Sequence, residues 1–296
     1  MAKNQNWWWA ALLGVAAAAA YAVSRPFGAL RGMVRLTSKR PALGLTWWLS
    51  VGQPDGWQDH LSRVDFVTVK VTDGTRILGD KQAGAVVAAA RAAGTPVQTW
   101  SYHYARTEAA AHAEGIAAAR EALRLGAKAH WVNAEHQWAG GYMDHTGAAD
   151  PVASMVALVA AFRATAPGIA VIFNSTTSWM SPRLTPALDR DVASLFDAYG
   201  PMIYSSGSTG GVKTMRKKWG RGYAIAQELG IPFCPMVGSG RRDKNGKFWT
   251  NFDGLAAIQA EQPADWIAFW VAPGQADRLY TANALNPSIA EFKGMT

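Results

Sequence analysis

The chain has 296 residues, 49% of them hydrophobic, which suits one large α/β domain of about 250 residues with a short extension. Its net charge of +8 is uneven: Lys3, Arg25, Arg31, Arg35, Lys39 and Arg40 all precede the first acidic residue, Asp55, leaving 23 basic against 21 acidic groups for the rest. That nearly neutral remainder argues against a nucleic-acid footprint, and a lone Cys234 excludes an internal disulfide framework and any multi-cysteine metal site. Cys234 reads instead as a buried small hydrophobe in the run from Ile231 to Met236. The 14 tryptophans are a surplus that serves either a core or a cleft stacking on flat ligands such as sugar rings.

Two regions are expected: residues 1–40, a hydrophobic helix with a basic flank, and residues 41–296, a barrel. Trp7 to Val23 is an uninterrupted apolar run opened by Trp7, Trp8 and Trp9. As a helix it spans about 25 Å, the short limit for a bilayer. The tryptophans suit an interfacial belt, and the basic stretch from Arg25 to Arg40 suits anionic headgroups. Three readings are open: a membrane anchor, a cleaved signal peptide ending near Ala20-Tyr21-Ala22, and a helix docked on a partner protein. The positive-inside rule holds the basic side, and the barrel with it, in the cytoplasm. Placing the barrel on the opposite side would require export, release or carriage in a virion.

From Leu43 onward the pattern alternates strand and helix. The spacing predicts strands over 43–49, 65–71, 96–104, 128–134, 169–174, within 196–204, and over 231–237 and 265–271. Helices are predicted over 81–93 and 108–125, closed by Gly94 and Gly126. Two more are predicted over 150–165, with Asp150 as N-cap and Pro151 in the first turn, and over 219–229. Repeated βα units imply a parallel sheet with right-handed crossovers, and eight of them imply closure into a (β/α)8 TIM-type barrel.

Catalytic groups of such barrels sit at the C-terminal strand ends. Those ends carry Trp47 and Trp48; Lys70 and Asp73; Tyr102, His103 and Tyr104; Asn133 and Glu135; Asn174; Tyr204; and Trp270. Aromatics, amides and a carboxylate converging on one face are the lining expected of a sugar cleft. Asn133 and Glu135, two apart on a strand, point the same way. A Glu among Tyr and Trp has its pKa raised, as a general acid requires. His103, His130, His136 and His145 show no i, i+4 pair beside an acid, so no metal and no cofactor is expected.

The run from Phe66 through Lys70 and Asp73 to Thr75 resembles the second-strand motif of the family 25 glycoside hydrolases, the cell-wall muramidases. Tyr102-His103-Tyr104, followed by an Ala-rich helix with Ala113 and Glu114, resembles that family's next segment. Phe162 through Asn174 to Trp179 is similar to its fifth unit. The likeness runs in order from about residue 43 to 180. It implies a lysozyme-like, phage-associated peptidoglycan hydrolase with Glu135 as acid. The sequence departs from the family where Asn133-Ala134-Glu135 replaces Asp-x-Glu, where Leu45-Thr46-Trp47 lacks the first-strand Asp, and where Asp73 replaces a Glu. The Asn-x-Glu pair resembles that of the family 85 endo-N-acetylglucosaminidases. It implies that the substrate's acetamide acts as nucleophile, oriented by Asn133. Tyr204 resembles the Met-x-Tyr tyrosine of family 18 chitinases. The alternative is an inactive glycan-binding or structural barrel, held to a membrane or virion through residues 7–23.

Overall fold

The computed structural model describes residues 41–47, 61, 64–78, 80–140, 147–176, 185–203, 211–238 and 252–271. The expected N-terminal helix lies outside the described residues. Among the described residues, no helix is long and apolar enough to cross a membrane.

The strands, in chain order, are β1 (Ala42–Trp47), β2 (Phe66–Asp73), β3 (Arg76–Ile77), β4 (Val97–His103) and β5 (Ala129–Ala134). They continue with β6 (Ala170–Ser175), β7 (Ala198–Tyr199), β8 (Met202–Ile203), β9 (Met236–Gly238) and β10 (Trp266–Val271). The helices are α1 (Asp80–Ala92), α2 (Glu108–Arg124), the single turn α3 (His136–Ala139) and α4 (Pro151–Thr165). After them come α5 (Pro186–Ala193), α6 (Gly211–Leu229) and α7 (Phe252–Glu261). All eight expected strands are present. The sequence pattern alone missed β3, α3, α5 and α7, and it started α6 two turns late.

Apart from the antiparallel β3, every pairing is parallel, in the order β7-β6-β5-β4-β2-β1-β10-β9-β8. β7 and β8 are two halves of one stave. Tyr199 pairs with Phe173 of β6, while Ile203 pairs with Val237 of β9. A bridge from Tyr199 to Phe233 joins the two sides, and the ring of eight staves is closed. Gly200 sits at the break. A Cβ there would lie 2.7 Å from both the Cys234 carbonyl and the Trp131 ring, so only glycine lets the stave pass from one neighbour to the other.

Strand alternation sorts the residues into two layers. Phe66, Trp100, Trp131, Ile172, Met202, Cys234, Met236 and Trp266 fill the barrel, with alanines at 42, 129, 170, 198 and 268 between them. Val67, Val69, Val71, Val132, Val171 and Phe173 face outward and are buried under the helices. Each such side chain contributes about 1.5–3 kcal/mol of burial. Strands covered on both faces read as the near-continuous apolar runs seen here. Five tryptophans, at 100, 131, 138, 219 and 266, are core residues. Three of them direct the indole N–H to an acceptor: Trp131 to Gln98 Oε1 (2.6 Å), Trp138 to the Pro151 carbonyl (3.1 Å) and Trp219 to the Gln262 carbonyl (2.9 Å).

The amino-terminal end of the barrel is stitched by one device used three times. Asp65, Asp197 and Asp265 each stand one residue before a strand. Each donates its backbone N–H to a carbonyl of the neighbouring stave and accepts that same residue's N–H on its carboxylate. The partners are Leu43 (2.8 Å), Val171 (2.8 Å) and Phe233 (2.9 Å). Asp197 also pairs with Arg163 at 2.9 Å. Asp150 caps α4 as expected, accepting from the Ala153 N–H at 2.9 Å.

Candidate active site

At the opposite end, the strand tips of β2, β4 and β5 bring six of the expected residues together. β2 contains a bulge. Lys70 pairs with Trp100, but Asp73 pairs with Tyr102, because the register shifts between Lys70 and Thr72. Trp100 and Tyr102 both face the interior, so the extra residue turns Lys70 and Asp73 to the same side. Their charges meet at 3.0 Å. Lys70 is buried and its ammonium lies 5.0 Å from the Trp100 ring and 5.6 Å from the Tyr102 ring. That geometry adds cation–π attraction to the ion pair.

Beyond the bulge the strand turns back through Gly74 and Thr75 to β3. Gly74 has φ +58°, as the first central residue of a primed hairpin turn requires. Its N–H donates to the Tyr102 carbonyl at 2.8 Å. Tyr104 donates its hydroxyl to Asp73 Oδ1 at 3.0 Å and packs edge-on against Tyr102, with centroids 5.3 Å apart. Burial and the Asp73 hydrogen bond push the Tyr104 pKa upward. Tyr102 is raised further, first by burial and then by the nearby charges of Glu135 and Asp73. Its hydroxyl donates to Gln137 Oε1.

Glu135 follows β5 directly, and its carbonyl accepts the Trp138 and Ala139 N–H groups, both at 3.1 Å. Trp138 is fully buried, which pins the α3 turn and so the position of Glu135. Asn133 donates its Nδ2–H to Glu135 Oε1 at 3.1 Å, as their shared side of the strand predicted. Burial raises the Glu135 pKa above its ordinary value of 4.5, opposed by the Asn133 hydrogen bond and the Lys70 charge. Glu135 nonetheless keeps part of its surface open, as an acid that must meet a substrate needs. The Asn133 side chain is buried, and its amide oxygen has no hydrogen-bond partner among the described residues.

The remaining expected residues fall differently. Asn174 pairs in register with Asn133 and faces the interior, but it is buried and its Nδ2–H is committed to the Gly200 carbonyl. His103 does not line the cleft. It lies between the inward Tyr102 and Tyr104, so alternation turns it outward. There it is fully buried, 3.2 Å from Glu114 through Nδ1. His130 likewise points outward, bonded to Thr99 at 2.9 Å and stacked on Phe162. Tyr204 and Trp48 lie outside the described residues, and Trp47 and Trp270 are described by their backbone alone. Among the described residues, no cluster of His, Cys, Asp and Glu could hold a metal ion. Gln137 has no signal in the sequence beyond its place just after a strand tip, and Glu114, quoted in the family-like helix, carries no expected role there.

No family model matches the chain, and no curated protein sequence does. Solved structures do match it. A chitinase from Rhizomucor miehei aligns with a TM-score of 0.55 at 13% identity, over 85% of this chain and all of that one. A psychrophilic family 10 endo-β-1,4-xylanase aligns at 0.60 and 10% identity, over 87% and 98%. The spore cortex-lytic enzyme SleL of Bacillus megaterium aligns at 0.53 and 7% identity, over 79% and 71%. At such identities the shared property is the TIM-barrel fold, and these neighbours are glycan hydrolases.

Proposed function

We propose that the barrel is a glycoside hydrolase acting on an N-acetylated glycan, with peptidoglycan the first candidate substrate. One observation carries the reading: a carboxyl with a raised pKa, at a strand tip on the carboxyl-terminal end of the barrel, is hydrogen-bonded to an amide whose own buried oxygen has no hydrogen-bond partner among the described residues. In this reading Glu135 is the general acid that protonates the leaving glycosidic oxygen. The Asn133 amide oxygen accepts the N–H of the substrate's acetamide. This holds the acetamide carbonyl under the anomeric carbon, where its oxygen forms the new bond as the old one breaks. Water then opens the cyclic intermediate, with Glu135 as base. Tyr204 would steady the acetamide. Tyr102 and Tyr104 supply stacking surface, with Lys70 and Asp73 as polar contacts. The family 25 likeness and the cortex-lytic neighbour favour a cell-wall substrate and a phage-associated role. Residues 7–23 would then tether the protein to a membrane or virion.

The test is release of reducing ends from purified cell walls and from chitin oligomers by the full chain. Wild type is expected to release them, and Glu135→Gln to release at least ~10³-fold less. Equal activity of the two would remove Glu135 from the mechanism. A binding-only barrel is the second reading, favoured by Asp73. This second carboxylate is already engaged by Lys70 and Tyr104 and so is poorly placed as a nucleophile. Binding-only predicts glycan retention that survives Glu135→Gln, with no hydrolysis by either protein.

A further inference from the structure

The tyrosine wall of the cleft is held from behind by a residue that never faces it. Glu114, on α2, is 4% exposed. Its carboxylate accepts the Tyr104 N–H at 3.0 Å and the Ala105 N–H at 3.2 and 3.3 Å, and it faces His103 Nδ1 at 3.2 Å. A carboxylate in that position requires the proton on Nδ1. Ala105 has φ +43°, the only described non-glycine residue in the left-handed region. Such a backbone persists only where its surroundings over-determine it, and here the Glu114 acceptors do so. The turn of β2 completes the layer: a Cβ on Gly74 would lie 3.1 Å from the Tyr104 ring and 3.8 Å from the Glu114 carboxylate.

We propose that Glu114 is a positioning residue of the cleft. Its carboxylate fixes the turn 103–105, and so sets the Tyr104 ring, the Tyr104 hydroxyl on Asp73, and through them the stacking wall opposite Glu135. This rests on reading the cleft as a glycan site, but Glu114 itself touches no substrate position. A helix residue that merely stapled α2 to the sheet would alter melting temperature alone. A positioning residue alters the state of Tyr104 and the affinity for substrate in a protein that still folds.

The experiment compares full-length wild type with Glu114→Gln, Glu114→Ala and the double variant Glu114→Ala/Ala105→Gly. The glycine relieves the left-handed residue, and this variant is measured in place of Glu114→Ala if that one fails to fold. Two quantities are read: the ultraviolet titration of Tyr104, identified by its loss in Tyr104→Phe, and kcat and KM on an N-acetylglucosamine oligomer. In the alanine variants the Tyr104 step is expected to fall toward the ordinary value of 10. Their KM should rise about tenfold while kcat stays within about threefold. Glu114→Gln, whose amide oxygen still accepts both backbone N–H groups, loses only the Glu114 charge that helps raise the Tyr104 pKa, so its Tyr104 step should fall less than in the alanine variants and its KM should stay close to wild type. A folded alanine variant with wild-type Tyr104 titration and KM overturns the proposal, as does a glutamine variant as impaired as alanine. If wild type neither binds nor cleaves glycans, the reading of the cleft fails by itself, and the difference in Tyr104 titration between Glu114→Gln and the alanine variants, which lose the same charge, still decides the role of Glu114.

Discussion

The two ends of this barrel use carboxylates in opposite ways. At the amino-terminal end, Asp65, Asp197 and Asp265 each take a neighbouring stave's backbone N–H, so they hold the ring shut and present no reactive lone pairs to a ligand. At the carboxyl-terminal end, Asp73 and Glu135 meet side chains: a lysine, a tyrosine and an amide. Side-chain partners can be exchanged for a substrate in a way that ladder N–H groups cannot. The same residue type is tied to backbone at one end and to exchangeable side chains at the other, and the proposed chemistry falls at the second.

Breaking the scaffold end gives the largest stability effect. Asp197→Ala strands the buried Val171 N–H and removes the 2.9 Å ion pair with the partly exposed Arg163, which should cost about 2–3 kcal/mol. Denaturant unfolding measures that loss, and glycan affinity of the folded protein should be unchanged. Asp265→Ala, which strands the Phe233 N–H, should cost about 1–2 kcal/mol.

The catalytic end responds with the opposite sign. Burial raises the Glu135 pKa in the folded protein above its ordinary value of 4.5, so the native state holds that proton more tightly than the unfolded chain. The stability this contributes is complete below that ordinary value and is lost as pH rises through the folded-state pKa. Glu135→Gln removes the loss. It should melt higher than wild type at about pH 8 and match it at about pH 4.

The smallest effect sharpens the coupling within the cleft. Asp73 balances the Lys70 ammonium at 3.0 Å, and Lys70 already lowers the Glu135 pKa. Asp73→Asn leaves Lys70 less compensated, so its field at Glu135 strengthens. The basic limb of the pH–rate profile should move to lower pH by a few tenths of a unit. A shift to higher pH would break this link.

Much of this was legible in the chain. The β-branched and aromatic runs marked all eight staves, Asp150 with Pro151 marked the start of α4, and period-two alternation placed Asn133 beside Glu135. The same alternation also turns His103 away from Tyr102 and Tyr104, but only once the direction of one neighbour is known. Asp73-Gly74 is a hairpin signal and Thr185-Pro186 a helix start, so β3 and α5 had local cues. Other features had none. The bulge that brings Asp73 round to Lys70 depends on how two strands align. The triple aspartate stitch depends on register between neighbouring staves. Glu114 acts through a turn folded onto α2 from nine residues upstream.

The central claim is that the carboxylate at the tip of β5 is the reactive one. Its most direct test is the rate of reducing-end release from purified cell walls by full-length wild type and Glu135→Gln, with Asp265→Ala as the scaffold-end control. Hydrolysis is expected from wild type and from the folded fraction of Asp265→Ala, with none measurable for Glu135→Gln. Hydrolysis that survives in Glu135→Gln, or that fails equally in both variants while both remain folded, would contradict it.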